Sequence, residues 1–368
     1  MNHEYYMREA LKLAEKGMGF VNPNPMVGAV IVKNGEIVGK GFHPKCGELH
    51  AERFAFADCD AKGIDCVGAD MYVTLEPCCH YGKTPPCTEA IIDHKIKRVF
   101  IGSSDPNPLV SGKGAKILRE NGIEVFEGIL KEECDGLNEI FFHYITHGTP
   151  FVTMKYAMTM DGKMACHTGL SKWVTGEDAR MQVQRDRLKH SAIMVGVGTV
   201  IADDPMLNCR IEGGRDPLRV ICDTNLRTPL DSNIVLKAKE SPTIIAFCSG
   251  DPEPYETFGC QMIKVSKKNE HTDLEELMKI LGGEFHIDSV LLEGGGELNW
   301  SALNAGIVNK VQAYIAPKIF GGNGAKSPVG GIGTESPDKA FMLENMKIKQ
   351  IGSDILIESR VKNVHRDN

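Results

Sequence analysis

The chain has 368 residues, of which 42% are hydrophobic and 25% are charged, and its formal net charge is −7. Its length predicts about two domains, and its composition is typical of globular proteins that fold in water. The basic residues form no cluster of the kind that binds duplex nucleic acid, so we do not expect a nucleic-acid partner.

The N-terminal segment, MNHEYYMREALKLAEKG, predicts an amphipathic helix that ends at Gly17. It is charged throughout and lacks the apolar centre of a signal peptide. The longest apolar run, residues 192–202, is well below the roughly 20 residues of a membrane-spanning helix, so no membrane partner is expected. We therefore expect a cytoplasmic protein whose twelve cysteines are mostly reduced, because disulfides are rare in that compartment.

The first half of the chain alternates strands and helices. Asn34-Gly35 predicts a hairpin turn between VGAVIV and EIVGKG. There follow, in order, a helix at about 50–61, a strand at 69–75, a helix at about 88–97, a strand at 98–104, a helix at 113–121, an extended segment at 123–128 and one long helix at about 131–145. Such alternation predicts a layered α/β domain. The pattern breaks at His147-Gly148-Thr149-Pro150, so the predicted domains are residues 1–147 and 148–362.

The second half begins with a strand at PFVTMKYAMTM. A helix is predicted after Trp173, where Thr175 and Asp178 have the spacing of a capping box. Further strands are predicted at AIMVGV, LRVICDT, TIIAFCS, QMIKVS and SVLLEG, and two more, MKIKQIG and ILIES, lie near the C-terminus with little more than a turn between them. These segments predict a mixed sheet with helices.

One segment, EPCCHYGKTPPC at residues 76–87, has the composition of a metal site. His50, Cys78 and Cys87 would supply one imidazole and two thiolates, and three protein ligands leave zinc's fourth position open, as in catalytic sites. Zinc lowers the pKa of bound water to about 7, so Glu52, two residues after His50, could take its proton and return it to a leaving amine. Cys87 precedes a predicted helix, whose dipole favours the thiolate.

The pattern H-x-E with P-C-x-x-C is the signature of zinc nucleobase deaminases. Here the second cysteine, Cys87, follows Cys78 by nine residues instead of three, which excludes a simple copy of the cytidine or tRNA-adenosine enzymes. Structural zinc is the alternative for a lone cysteine-rich loop. The redox motif C-x-x-C is absent, and Cys79 is left as a spare thiol.

Longer motifs in this order closely resemble the RibD family of bifunctional riboflavin biosynthesis proteins. In the first half they are PNPMVGAVIV, GFHPKCGELHAE, TLEPCCHYGKTPPC and SDPNPLVSGKG. In the second half they are KYAMTMDGKMA, SKWVTG, VGVGTVIADDPMLNCR, LLEGGGELN and YIAPKIFGG. The resemblance covers residues 1 to about 360. It implies a cytidine-deaminase-like α/β/α layered domain, followed by a dihydrofolate-reductase-like α/β domain with a mixed sheet.

The resemblance also implies two reactions. A zinc-dependent hydrolysis removes the 2-amino group of 2,5-diamino-6-(5-phosphoribosylamino)pyrimidin-4(3H)-one, and NADPH then reduces the ribosyl group of the product to a ribityl chain. The implied cofactors are one Zn²⁺ in the first domain and NADPH in the second. The partners are phosphorylated pyrimidine substrates, and by analogy the chain forms a dimer or tetramer.

The family pattern implies three groups of binding residues. The deaminase substrate would contact Asn24, His43, His80, Lys83, Asp105 and Asn107. NADPH would contact Ala157, Trp173, Thr199, Asp203, Gly295, Gly296, Glu297, Leu298, Asn299, Trp300 and Ser301. The reductase substrate would contact Ser171, Arg187, Leu207, Arg210 and Glu293, with the two arginines suited to a 5′-phosphate. No general acid is assigned in the second half.

Several of these residues also have a purely structural explanation. Asn24 and Asn107 adjoin prolines and could shape turns. Lys83 could be a solvated loop lysine, Trp173 a core residue, and Arg187 part of a solvated helix face. Gly294-Gly295-Gly296 after a strand suits a phosphate but is also common in turns. Ile201 occupies the position of the third glycine of a Rossmann fingerprint, so that fold is rejected.

Three other functions compete with this interpretation. The main alternative is a deaminase whose second domain is an inactive dimerisation module. The second is a nucleic-acid-binding protein that uses zinc only for folding. The third is a deaminase of free nucleosides or RNA bases, which the extended cysteine loop and the evenly spread charge disfavour.

Overall fold

The computed structural model describes residues 2–81, 85–108 and 110–362, and it divides into two compact units, Met1–Gly148 and Thr149–Asn368. The helices of the first unit are α1 His3–Ala14, α2 Ala51–Ala61, α3 Cys87–Asp93, α4 Lys113–Glu120, α5 Lys131–Leu137 and α6 Glu139–His147. Its strands are β1 Gly28–Lys33, β2 Glu36–Phe42, β3 Asp70–Leu75, β4 Arg98–Ser103 and β5 Glu124–Glu127.

The five strands form one sheet in the order β2-β1-β3-β4-β5. β1 is antiparallel to β2 and β3, whereas β3, β4 and β5 are parallel. Alternate residues of β1 face opposite sides, so Ile31 packs with α2, α3 and α4, and Val30 packs with α1. Both faces are therefore covered by helices, and the predicted α/β/α layering is confirmed.

The hairpin between β1 and β2 is also confirmed. Asn34 and Gly35 both have positive φ, at 55° and 84°, as expected for a two-residue turn of type I′. The single long helix predicted at 131–145 is wrong, because the chain leaves helical geometry at Asn138, where φ is −106° and ψ is 22°. The Asn138 side chain instead accepts from the backbone N of Met26 at 2.8 Å and donates to its O at 2.9 Å.

The second unit has six helices and eleven strands among the described residues. The helices are α7 Glu177–Lys189, α8 Val197–Asp203, α9 Asn233–Leu236, α10 Glu253–Thr257, α11 Leu274–Gly283 and α12 Gly296–Asn304. The strands are β6 Phe151–Thr159, β7 Ala192–Gly196, β8 Leu218–Cys222, β9 Thr243–Phe247, β10 Gln261–Lys264, β11 Lys267–Lys268, β12 His271–Thr272, β13 Ser289–Leu292, β14 Val308–Ala316, β15 Leu343–Ile351 and β16 Asp354–Val361.

Nine strands form one sheet in the order β10-β9-β8-β7-β13-β6-β14-β16-β15. The first seven are parallel, β16 is antiparallel to β14, and β15 is antiparallel to β16. Separate apolar cores cover the two faces, with Met194 on one side and Ile193 on the other. The predicted mixed sheet with helices is therefore confirmed.

The predicted capping box of α7 is wrong. The helix begins after Gly176, and no side chain near its start caps it. The backbone N of Gly176 donates instead to Oδ2 of Asp354, at 2.7 Å, from the start of β16. A carboxylate remote in sequence thus replaces the local cap that Thr175 and Asp178 were expected to form.

Candidate functional site

Four strands of the first unit place their ends at one edge of the sheet. β3 and β4 are parallel and end there, and β1 is antiparallel to β3 and therefore begins there. Gly28 at the start of β1 pairs with Phe42 at the end of β2. The loops that leave this edge carry Asn24, His43, Cys78 and Asp105, so residues 81 positions apart in sequence arrive at one site.

The three predicted zinc ligands come together at this edge. His50 is the N-cap residue of α2, and Cys87 is the first residue of α3. Nδ1 of His50 lies 3.5 Å from Sγ of Cys78 and 3.4 Å from Sγ of Cys87, and the three ligand atoms all lie within 4.8 Å of one another. Zinc bonds of about 2.0 Å to nitrogen and 2.3 Å to sulfur place tetrahedral ligands about 3.5 Å apart, so the spacing fits a zinc ion.

The two thiols share their negative charge. A hydrogen bond from the Cys87 thiol, together with His50 and the backbone N of Cys87, lowers the pKa of Cys78 to about 4. The same contact raises the pKa of Cys87, because a second thiolate would face the first. A divalent cation between the sulfurs removes that conflict, and one nitrogen with two sulfurs is a donor set that zinc prefers.

Glu52 lies beside this cluster in the first turn of α2. Its side chain is buried, and it hydrogen-bonds with the Cys87 thiol. Burial raises the pKa of Glu52, and the negative charge on Cys78 raises it further. The carboxyl group is thus held in contact with the cluster.

His43 lines the approach to the metal ligands. Its ring lies 5.4 Å from that of His50, centroid to centroid, and burial lowers its pKa, which favours the neutral imidazole. Nδ1 of His43 donates to the carbonyl of Leu49 at 2.9 Å, so Nε2 can accept from the side-chain amide of Asn24 at 3.2 Å. Asn24 therefore does more than shape a turn beside Pro23.

The loop after β4 contributes further polar groups to the site. Burial raises the pKa of Asp105 to about 6, and the charges of Cys78 and His80 also act on it. Oδ1 of Asp105 accepts from the backbone N of Asn107 at 2.8 Å. Nδ1 of His80 is buried and has no hydrogen-bond partner among the described residues, as expected of a group that awaits a ligand. Lys83 lies outside the described residues.

Glu76 is a buried residue of this site that the sequence interpretation did not single out. Its carboxylate accepts from the backbone N of Gly112 at 3.0 Å and of Ala115 at 3.1 Å. A Cβ at Gly114 would lie 2.2 Å from the carbonyl of Pro77, so only glycine allows this approach. Glu76 therefore ties the cysteine loop to the segment after Asp105. The available signal was a carboxylate directly after a fully buried strand.

In the second unit, a cavity of about 1200 Å³ opens along the carboxyl edge of the parallel strands. Nine of the residues assigned to NADPH line it: Ala157, Trp173, Thr199, Asp203, Gly295, Gly296, Glu297, Leu298 and Ser301. Four of those assigned to the substrate also line it: Ser171, Arg187, Arg210 and Glu293. Trp173 is 59% exposed and stacks under Arg180, so it is not a core residue.

Three of the predicted residues lie behind the cavity wall. Leu207 is buried in the apolar core under β7 and β8. Trp300 packs edge-on against Phe341, and a Cβ at Gly331 would lie 2.1 Å from its ring. Asn299 is fully buried and donates to the carbonyl of Pro328 at 2.8 Å. These side chains support the wall rather than form it.

The glycine-rich turn after β13 opens helix α12 at the cavity. Gly295 is the N-cap residue, so the first backbone N–H groups of α12 point away from the helix, where they favour an anion. A Cβ at Gly294 would lie 2.8 Å from Oδ1 of Asn299, and one at Gly296 would lie 3.0 Å from the backbone N of Gly330. Close approach of the backbone explains these glycines, and the turn fits the phosphates of a dinucleotide.

Glu293 joins two cations at the same turn. Its carboxylate lies 2.8 Å from Nε of Arg187 and 3.3 Å from Nζ of Lys155. Burial opposes ionisation, but the charges of Arg187 and Lys155 outweigh it and lower the pKa of Glu293 to about 2. Arg187 is therefore not on a solvated helix face. Lys155 was missed, although a lysine within a buried strand was a signal.

Comparison with known families and proteins follows the same division. Residues 1–103 match the "Cytidine and deoxycytidylate deaminase zinc-binding region", and residues 150–357 match the "RibD C-terminal domain". The chain is 55% identical over 356 residues to the riboflavin biosynthesis protein RibD of Actinobacillus pleuropneumoniae, covering 96% of this chain and 94% of that protein. It is 44% identical to RibD of Bacillus amyloliquefaciens, with coverage of 96% and 94%.

Two solved structures resemble the whole chain. Acinetobacter baumannii RibD superposes with a TM-score of 0.86 at 35% identity, covering 98% of this chain and 99% of that one. A diaminohydroxyphosphoribosylaminopyrimidine deaminase/5-amino-6-(5-phosphoribosylamino)uracil reductase of Thermotoga maritima gives a TM-score of 0.85 at 40% identity, with the same coverage.

Proposed function

The chain belongs to the RibD family of riboflavin biosynthesis proteins, and from that premise we propose how its own side chains divide the family's two reactions. It is a bifunctional enzyme that deaminates the diaminopyrimidinone phosphate and then reduces the ribosyl group of the product. Its cofactors are zinc and NADPH. We assign deamination to residues 1–147 and reduction to residues 148–362, as the sequence predicted.

One observation carries the deaminase assignment. The buried carboxylate of Glu52 lies against a cluster of His50, Cys78 and Cys87 that three ligands leave open. Zinc held there supplies a Lewis acid that activates water near neutral pH. Glu52 takes the proton of the attacking water on its carboxylate oxygen and delivers it to the departing amine.

The surrounding side chains would orient the pyrimidine. Asn24 and the neutral ring of His43 form a hydrogen-bonded pair beside the metal ligands, and Asp105 lies close enough to Cys78 and His80 for their charges to act on it. Asn107 follows in the same loop. For Lys83 we keep the proposal that its ammonium binds the phosphate of the substrate.

In the second unit, charge supports the assignment of the substrate end. Arg187 and Lys155 carry two positive charges against the single negative charge of Glu293, and Arg210 adds a third cation to the wall. The excess positive charge suits a 5′-phosphate. NADPH supplies the hydride, and the turn at Gly295 with Thr199 would hold its diphosphate.

Turnover of the diaminopyrimidinone phosphate tests the assignment directly. Purified protein should release ammonia without NADPH, and should oxidise NADPH only after that release. Ammonia release with no NADPH oxidation would favour the alternative of an inactive second domain. Incubation with cytidine should yield no uridine, because the expected substrate differs from a free nucleoside.

We also propose a homo-oligomer, a dimer or tetramer. The edge strand β15 exposes Leu343, Met346 and Ile348, and an apolar edge of this kind is typical of a surface that another chain covers. Sedimentation of the purified protein measures the mass, and a monomer at micromolar concentration would contradict the proposal.

We also propose that the protein is located in the cytoplasm. Cys78 and Cys87 can bind zinc only when reduced, which suits a reducing compartment. Within the described residues, no helix has the length and apolarity needed to cross a membrane. Fractionation of cells with an antibody to the chain tests the location.

A further inference from the structure

The indole of Trp173 stands at the wall of the reductase cavity, and much of it is exposed. Trp173 lies in the segment between β6 and α7, lines the cavity and is 59% exposed. The ring contact that the structure shows for it is with Arg180, whose Cζ lies 4.7 Å from the centroid of the ring. That distance is within the roughly 6 Å over which the face of an indole attracts a cation. Arg180 therefore covers one face of the ring.

Hydrogen bonds fix the backbone that carries this ring. Nζ of Lys318, two residues after β14, donates to the carbonyls of Trp173 at 3.0 Å and Val174 at 2.7 Å. Nη1 of Arg180 donates to the next carbonyl, that of Thr175, at 2.8 Å. Arg180 thus reaches both the backbone of the segment and the ring, and the exposed indole depends on this side chain for its orientation.

The guanidinium of Arg180 is not neutralised by a carboxylate. Across the described ranges we find no ion pair that engages it, whereas Arg187, on the same helix, is paired with Glu293. A carboxylate partner would compete with the ring for the cation. The positive charge of Arg180 therefore remains available to the electron-rich face of the indole.

We propose that Arg180 is a positioning residue of the reductase, which holds the indole of Trp173 in the orientation in which it contacts NADPH. The proposal rests on the proposed function, because it takes this cavity to be the cofactor site and Trp173 to be one of its contacts. With the guanidinium on one face, the other face and the edge of the indole are left for the cofactor.

The energetic advantage of this arrangement lies in the state before binding. A large exposed side chain that must be ordered by its ligand weakens the affinity, because the ligand's contacts have to offset the lost conformational entropy. An indole that Arg180 has already oriented loses less entropy when the cofactor arrives. Arg180 therefore acts through Trp173 and needs no contact with the cofactor of its own.

Binding of NADPH to a set of four proteins tests whether Arg180 acts through Trp173. Wild type, Arg180→Gln, Trp173→Ala and the double variant are titrated with NADPH, and the fluorescence of the cofactor gives each dissociation constant. We expect Arg180→Gln to bind NADPH about three- to ten-fold more weakly, the fold-change that corresponds to ordering one large side chain. That loss should vanish when the indole is absent, so the double variant should match Trp173→Ala within about two-fold.

Two further variants and one spectroscopic measurement separate positioning from an effect on folding. Arg180→Lys keeps a cation that can lie over the ring, so it should bind NADPH more tightly than Arg180→Gln does. Arg185→Gln removes an exposed charge from the same helix, outside the cavity lining, and should bind NADPH like the wild type. The polarised emission of Trp173 is obtained by subtracting that of the matching Trp173→Ala protein. Its anisotropy should fall in Arg180→Gln, because the indole gains freedom.

The possible outcomes separate this inference from the function it rests on. If the wild-type protein binds NADPH and Arg180→Gln binds it equally well, the inference is overturned and the reductase assignment stands. The inference is also overturned if Arg180→Gln weakens binding as much without the indole as with it, since Arg180 would then contact the cofactor itself. If the wild-type protein binds no NADPH, the reductase assignment fails and the inference fails with it.

Discussion

At the scale of single residues, the proposed deaminase site contains one carboxylate that is kept out of water. Glu52 is 3% exposed and touches Cys87, one of the three metal ligands. Both residues lie at the start of α2, where His50 is the N-cap residue and Glu52 belongs to the first turn. A carboxylate placed in this way can move a proton without diffusing, and its loss should affect chemistry more than folding.

Glu52→Gln should therefore abolish deamination and leave the rest intact. Proton transfer by a positioned side chain contributes about 10²- to 10⁴-fold, so kcat for ammonia release should fall by at least ~10²-fold. Zinc content, measured by metal analysis, should stay near one ion per chain. NADPH oxidation with the deaminated intermediate should be unchanged.

Asp60→Asn is the matched control, since it removes one exposed carboxylate from the far end of the same helix. It should deaminate like the wild type. If Glu52→Gln changed stability alone and left ammonia release intact, zinc would have a purely structural role.

At the scale of elements, the break between α5 and α6 places a side chain that holds the segment before β1. Asn138 is buried and bonds both backbone groups of Met26, two residues before β1 begins. The segment that it holds also carries Asn24. The break therefore has a structural cause, which is the pair of hydrogen bonds between the Asn138 side chain and the backbone of Met26.

Asn138→Ala should destabilise the first unit by about 1–3 kcal/mol. The substitution leaves the backbone N and O of Met26 buried without partners, which costs more than the bonds themselves contribute. Denaturant unfolding, followed by circular dichroism, measures the change. Asn121→Ala, at the exposed end of α4, should cost less than about 0.5 kcal/mol. Equal effects of the two substitutions would contradict this account.

The C-terminal hairpin is held by a second charged cluster. Glu358 on β16 lies 3.0 Å from Lys310 of β14 and 3.0 Å from Lys349 of β15, and accepts from Gln312 at 3.1 Å. Burial raises its pKa, but these partners outweigh burial and lower the pKa to about 2. The group thus stabilises the folded state above its unfolded pKa of about 4.3.

The stabilisation by Glu358 should be lost as the pH falls from about 4.5 toward 2. At pH 7, Glu358→Gln should lower the free energy of unfolding by about 1–3 kcal/mol, after allowance for screening of the partly exposed lysines. At pH 3 the difference from the wild type should have shrunk by half or more. Urea unfolding at both pH values provides the test, and a constant difference would show that the carboxylate is not the cause.

At the scale of the whole molecule, the residues assigned to the two reactions lie in separate units. All three zinc ligands belong to Met1–Gly148, and every residue that lines the reductase cavity belongs to Thr149–Asn368. Each unit has its own sheet and its own apolar cores. The cofactor of one reaction should therefore be removable without loss of the other.

Removal of zinc with a chelator should abolish ammonia release and leave NADPH oxidation with the deaminated intermediate within about two-fold of its starting value. The metal supplies the Lewis acid of the first reaction only. Added zinc should restore deamination. Parallel loss of both activities would show that the second unit depends on the metal-bound first unit.

Much of the fold and of both sites could be predicted from the sequence because the informative residues are local. The Asn34-Gly35 turn, the His50-to-Glu52 spacing and the cysteine loop each fall within a few residues of an element boundary. Family resemblance then named thirteen candidate cofactor and substrate residues that the structure places along one cavity. The two wrong predictions were the continuous helix at 131–145 and the capping box of α7. In both, a contact with a residue distant in sequence replaced the expected local structure.

What the sequence by itself determined was the set of candidate metal ligands, the two-unit organisation and the family, since these depend on residue type and short spacing. Only the tertiary structure decided that Asp354 caps α7 across 178 positions, that Lys155 pairs with Glu293 across 138, and that Lys318 holds the backbone of Trp173 across 145. Strand order brings such groups together, and strand order is a product of packing both faces of a sheet at once. No single segment contains that information.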